Sequence, residues 1–191
     1  HLMKYNPSYI SCTYGAGGGN VGANREVCQM IKNAGTTPVT HFTVIKNTKE
    51  GIKEQLDQYL ADGVDHMLAL RGDIPLGETT TCGDFDYATD LVKFVRDTYG
   101  DKFEIAVAGS PEGHISCRSL ESDIAVLKQK QDNGADYIMT QLCWDMEQFK
   151  YWLDAIRKAG ITMPVDVGVM PILDQAATIN MALSRNGCVM D

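Results

Sequence analysis

The sequence predicts an α/β protein of the (β/α)8 TIM-barrel type, with about six of the eight strands represented. Three observations carry this reading. First, helical stretches end in a glycine followed within a few residues by a short apolar strand, as in KNAGTTPVTHFTV, LADGVDHMLALRG, DTYGDKFEIAVAG, QDNGADYIMTQL and RKAGITMPVDVGV. Glycine just past a helix end suits a left-handed cap, and Gly35, Gly63, Gly100, Gly134 and Gly160 hold those positions. Second, each helical stretch carries one apolar stripe, such as Leu120, Ile124 and Leu127, or Phe149, Trp152, Leu153 and Ile156. The strands between them are nearly continuous apolar runs, as expected where helices cover a parallel sheet. Third, polar residues recur at successive strand ends: Thr13, His41, Arg71 with Asp73, Glu112 with His114, and Gln141. A doubly wound sheet gathers such residues at one switch point, whereas a barrel spreads them over the loops of one face.

Taken in order, strands are expected near residues 8–13, 38–44, 65–70, 103–109, 136–141 and 164–169. The first leads into GAGGGNVG, where Gly17, Gly19 and Gly22 satisfy a GxGxxG pattern. A dinucleotide site also needs an acid at the end of the next strand. That strand ends in His41, Phe42, Thr43 and Val44, with no acid before Glu50, so a loop that lets backbone approach a ligand is the better reading. His41 within the second strand, taken alone, reads first as a satisfied core histidine. The third strand ends in LALRGDIP, where Arg71 and Asp73 need partners at an apolar strand mouth. They form either a structural ion pair or an acid placed to stabilise a cation. The fourth runs into SPEGH, a polar turn or a ligand loop around Pro111 and Gly113. Gln141 closes the fifth strand and needs hydrogen-bond partners there. His1 and His66 show no partner pattern and read as surface residues, and Lys128 and Lys130 as a solvated helix face. Six strands would leave two unpaired apolar edges. Residues 1–191 are therefore expected to be one barrel domain whose first and last strands lie outside the chain.

The net charge of −8 excludes nucleic acid and anionic membrane surfaces as expected partners. No apolar run is long enough to span a bilayer, and no signal-peptide pattern is present. The six cysteines contain no CxxC pair, which suggests reduced thiols in a cytoplasmic protein. No HxH or HExxH spacing supports a metal site.

The segments YISCTYGAGGG, VTHFTV, HMLALRGDIP, DYATDLV, VAGSPEGH, ESDIAVLKQK, GADYIMTQLCWD and VGVMPI, in this order, resemble the methylenetetrahydrofolate reductase family. The resemblance implies a (β/α)8 barrel holding non-covalent FAD, with FMN as the alternative. It further implies hydride transfer from NADH or NADPH, through the flavin, to 5,10-methylenetetrahydrofolate. Position by position, it places Thr13 and His41 against the flavin, and Arg71, Gly72 and Asp73 along its ring and ribityl chain. Tyr87 and Ala88 would hold the adenosine half. His114, Asp123 and Lys130 would serve the ribityl and phosphate region. Asp73 and Gln141 are the expected catalytic pair and face the folate, with Gln141 also facing the nicotinamide. Ser110 stands where many members have a tyrosine, and Val126 and Gln129 replace polar or basic residues. The family's general acid, a glutamate ending its first strand, would lie upstream of His1, so residues 1–191 alone are expected to be inactive. Beside the substrate, a second copy or a redox partner subunit is expected. Two other classes fit the strand-end pattern: a pterin-binding methyltransferase barrel, and a non-catalytic barrel subunit of a larger redox complex.

Overall fold

A computed structural model of the chain describes residues 2–13, 21–74, 77–114, 117–170 and 172–183. Strands and helices alternate as β1 (Tyr9–Cys12), α1 (Val21–Asn33), β2 (Thr37–Thr43), α2 (Lys49–Ala61), β3 (His66–Leu70) and α3 (Ala88–Tyr99). They continue as β4 (Glu104–Gly109), α4 (Leu120–Asp132), β5 (Tyr137–Thr140), α5 (Met146–Lys158), β6 (Val165–Asp166) and α6 (Gln175–Leu183). Each expected strand is present, and the α/β class stands. The chain divides into two compact units, His1–Ala106 and Val107–Asp191, with the division inside β4. No helix among the described residues is long and apolar enough to cross a membrane.

In the first unit the strand order is β1, β2, β3 and then the opening half of β4. β1 and β2 run parallel with Cys12 opposite Thr40, and β2 and β3 run parallel with His41 opposite Leu68 and Thr43 opposite Leu70. The parallel register brings the C-terminal ends of three strands to one edge. Val39 and Phe42 of β2 and Met67 of β3 are fully buried, as a helix-covered parallel sheet requires. α2 buries Ile52, Leu56 and Tyr59, and α3 buries Leu91, Val92, Val95 and Tyr99. Thr48 caps α2 by accepting the Gly51 N–H at 3.1 Å. Gly100, after α3, sits at φ 59° and ψ −130°, a region side chains with a Cβ avoid. His66 differs from its sequence reading. Its Nδ1 lies 2.7 Å from Asp65 and its Nε2 3.1 Å from Glu104, because β3 and β4 begin at the same level. Glu104 is remote in sequence, so linear spacing could not reveal it.

The second unit carries the closing half of β4, then β5 and β6. β5 and β6 run parallel, Ile138 opposite Val165 and Met139 opposite Asp166. The apolar stripes face inward as expected: Ile124 and Leu127 of α4, and Phe149, Trp152 and Ile156 of α5, are buried. Ser119 caps α4 and Asp145 caps α5, the latter accepting the Glu147 and Gln148 N–H groups at 2.8 and 3.0 Å. Gly109 ends β4 where a Cβ would come within 2.6 Å of Ile138 and 3.1 Å of Trp152.

Candidate functional site

In the first unit, strand alternation decides which side chains face away from the helices. Thr40 bonds to Asn24 of α1, and the Phe42 ring meets Tyr59 of α2 edge-on at 6.3 Å. Successive side chains alternate across a strand, so His41 and Thr43 occupy the opposite face of β2. The Arg71–Gly72–Asp73 segment follows directly on β3, and Gly72 approaches β2 closely. At φ 86°, a Cβ there would lie 3.1 Å from Thr43 Cβ and Ile45 Cβ. The stretch before α3 is tied to the loop after β2, with Lys46 N–H donating to the Thr81 carbonyl at 2.8 Å and Asp84 N–H to the Asn47 carbonyl at 3.0 Å. That tie brings Tyr87 and Ala88, at the start of α3, to the same edge. Tyr87 is exposed, and its N–H donates to Asp90 at 3.0 Å.

Arg71 Nε donates to the Gly72 carbonyl at 3.3 Å, and no ion pair joins it to Asp73 among the described residues. The structural ion pair is therefore not what holds this segment; Asp73 is exposed at the strand mouth. His41 is half-buried, its Nε2 is fully enclosed without a hydrogen-bond partner among the described residues, and burial holds the imidazole below its ordinary range. A neutral ring with an unsatisfied nitrogen is not the satisfied core histidine that the sequence also allowed. An enclosed imidazole nitrogen and a glycine that brings backbone close fit a planar, hydrogen-bonding cofactor such as a flavin.

Sequence reasoning missed Asn24, which is 2 % exposed. Its amide donates to the Cys12 and Thr13 carbonyls at 3.1 and 3.0 Å. Its oxygen accepts from the Tyr59 and Thr40 hydroxyls at 2.6 and 2.8 Å and from the Cys28 thiol at 3.5 Å. This satisfied buried network fixes the end of β1, where exposed Thr13 sits. Nothing in the local pattern of α1 distinguishes Asn24 from a surface asparagine. The glycine-rich segment that follows, residues 14–20, lies outside the described residues.

In the second unit, four segments meet at the end of β4. Lys130 Nζ donates to the Ala108 carbonyl at 3.0 Å. Burial lowers the Lys130 pKa, and the nearby Asp123 carboxylate partly opposes that. Lys130 thus reaches back along α4 to the strand end rather than lying on a solvated face. Asp123 also accepts the Cys117 thiol at 3.6 Å. Gln141 N–H donates to the Gly109 carbonyl at 2.8 Å, and its side-chain oxygen accepts the Leu142 N–H at 2.9 Å. The Gln148 amide holds the Pro111 carbonyl at 2.8 Å, which anchors the SPEGH turn to the start of α5. His114 is exposed on that turn. Cys143 is pushed up to about 11 by burial and then by the Glu112 carboxylate. The described residues contain no group of three or more His, Cys, Asp or Glu side chains that could hold a metal ion. What this unit presents is a half-buried ammonium, a carboxylate and a carboxamide, a set suited to an anionic group beside a neutral hydrogen-bonding one.

Known proteins are similar to the chain over most of its length. The family described as methylenetetrahydrofolate reductase matches residues 1–186. Methylenetetrahydrofolate reductase (NADH) 1 of Arabidopsis thaliana is 36% identical over 95% of the chain, which spans 33% of that protein. Methylenetetrahydrofolate reductase 2 of Saccharomyces cerevisiae is 36% identical over 92% of the chain, and 30% of that protein is covered. The 5,10-methylenetetrahydrofolate reductase of Pectobacterium carotovorum is 34% identical over 90% of the chain, and 56% of it is covered. The chain thus spans about a third of the first two relatives and just over half of the bacterial one. Among solved structures, a Clostridium thermocellum protein described as binding two copies of 5-methyl-5,6,7,8-tetrahydrofolic acid is similar with a TM-score of 0.66 at 13% identity. It matches over 100% of the chain and 64% of its own. At that identity the likeness speaks to the fold alone.

Proposed function

The chain belongs to the methylenetetrahydrofolate reductase family, and from that premise we propose that it serves the flavin-dependent reduction of 5,10-methylenetetrahydrofolate to 5-methyltetrahydrofolate, with NADH or NADPH as hydride source. Residues 1–191 then belong to one flavin-binding barrel domain, and FAD is the expected flavin. The observation that most supports the cofactor is the enclosed Nε2 of His41, which has no hydrogen-bond partner among the described residues.

A bound flavin would supply the hydride chemistry, while the protein holds, orients and polarises. In the first unit, Thr13, His41, Arg71 and Gly72 would hold the ring and ribityl chain, and Tyr87 with Ala88 the adenosine half. In the second, Lys130 would offer N–H donors to phosphate, with Asp123 and His114 binding the ribityl region. Opening of the folate's five-membered ring leaves positive charge on the reacting carbon and nitrogen. The exposed Asp73 carboxylate would favour that charge as it develops. Gln141 carries a neutral amide that can both donate and accept, so it can orient folate and nicotinamide in turn without taking a proton.

The test begins with the full-length protein, its visible spectrum and the mass of the released cofactor. A yellow protein releasing FAD and oxidising NADH or NADPH is expected, and release of FMN would revise the cofactor. Asp73→Asn should keep the flavin and the nicotinamide half-reaction but lower folate reduction roughly 100-fold. A colourless protein that takes up neither FAD nor FMN would overturn the reading. Methyl transfer without any reductant would point to a pterin-binding methyltransferase instead.

A further inference from the structure

Thr43 is 3 % exposed, and its hydroxyl has no hydrogen-bond partner among the described residues. Buried hydroxyls are normally satisfied, and an unsatisfied one is costly enough to need a reason. His41 Nε2, two residues earlier on the same face of β2, is unsatisfied in the same way. The two positions are about 6.6 Å apart along the strand. Their neighbours Thr40 and Phe42 on the other face are fully engaged by α1 and α2. Within β2 the deficit therefore falls on one face of the strand end. Gly72 of the Arg71–Gly72–Asp73 segment packs there, where a Cβ would lie 3.1 Å from Thr43 Cβ.

We infer that Thr43 is a ligand-contacting residue, its hydroxyl and the His41 imidazole forming a two-point polar strip that takes the hydrogen-bonding edge of the bound flavin. The inference rests on the flavin reading above and adds to it a residue which that reading does not use. Both groups can donate or accept: the hydroxyl by rotation, the neutral imidazole by tautomer. Such a strip suits a ring edge that presents carbonyl oxygens and an N–H in alternation, and it does not discriminate by charge. Gly72, lacking a side chain, adds no bulk beside Thr43 at this strand end.

The experiment compares Thr43→Val, which keeps the shape and removes the hydroxyl, with Thr43→Ser, which keeps the hydroxyl. Both are made in the full-length protein. FAD dissociation constants come from fluorescence quenching, and thermal midpoints are taken without and with FAD. Thr43→Val should weaken FAD binding roughly 3- to 10-fold, shift the bound flavin's absorption bands, and leave the flavin-free midpoint unchanged or higher. Thr43→Ser should stay within about 2-fold of the parent. Unchanged affinity and spectrum in Thr43→Val would overturn the inference while leaving the flavin reading intact. A lower flavin-free midpoint with unchanged affinity would overturn it too, by showing a purely structural hydroxyl. A parent protein that binds no flavin would overturn both.

Discussion

Burial keeps the His41 imidazole below its ordinary value of 6.5, so the native state holds a neutral ring where the unfolded chain readily takes up a proton. Between the folded and unfolded values the unfolded state binds more protons, so stability rises with pH across that window. It is complete above 6.5 and declines as the pH falls below it. Urea midpoints taken from about pH 7.5 down to about pH 5 should therefore drop more steeply for the parent than for His41→Gln, whose amide does not titrate. Parallel curves would argue against a buried neutral ring. At this scale the sequence singles out residues that differ in type from an apolar strand, as His41, Asp73 and Gln141 do. It was silent on Asn24, whose importance arises from two carbonyls and three donors brought together from β1, β2, α1 and α2. Thr43 lay between these cases: the two-residue period of β2 pairs it with His41, but only burial shows its hydroxyl to be unsatisfied.

Elements were more legible than residues, because period and punctuation are local. All five glycines expected to follow helices have positive φ, from 59° at Gly100 to 102° at Gly134. Gly100 nevertheless departs from a left-handed cap in its ψ of −130°, since a short 3-10 turn, Gly100–Lys102, follows at once. Gly109 had no such signal, because its need for a missing side chain comes from β5 and α5. Gly109→Ala would drive a methyl group to within 2.6 Å of Ile138 and 3.1 Å of the fully buried Trp152. It should cost about 1–3 kcal/mol in urea unfolding. It should also disturb the Gln141 backbone bond, because Gln141 N–H donates to the Gly109 carbonyl at 2.8 Å. A variant as stable as the parent would show that α5 can shift to make room.

For the molecule as a whole, alternation of strand and helix carried the fold class, and eight quoted segments carried the family. Unlike these, the partition into His1–Ala106 and Val107–Asp191 has no mark in composition or linker, for it falls within β4, an apolar strand. Contact density, which sequence does not encode locally, creates it. Two cysteines make the opening of the first unit something that can be timed. Cys28 is wholly buried beside Asn24, and burial pushes its thiol up to about 12, so in the native state it is almost never the reactive thiolate. Cys82, in the same unit, is exposed. A maleimide reagent should therefore modify Cys82 at once and Cys28 only when the first unit opens, and the lag between them is a clock for that opening. Equal labelling rates at the two positions would mean that the network around Asn24 is transient. A slow Cys28 whose rate falls further on adding FAD would make one buried thiol a gauge of how tightly the ligand closes its own fold.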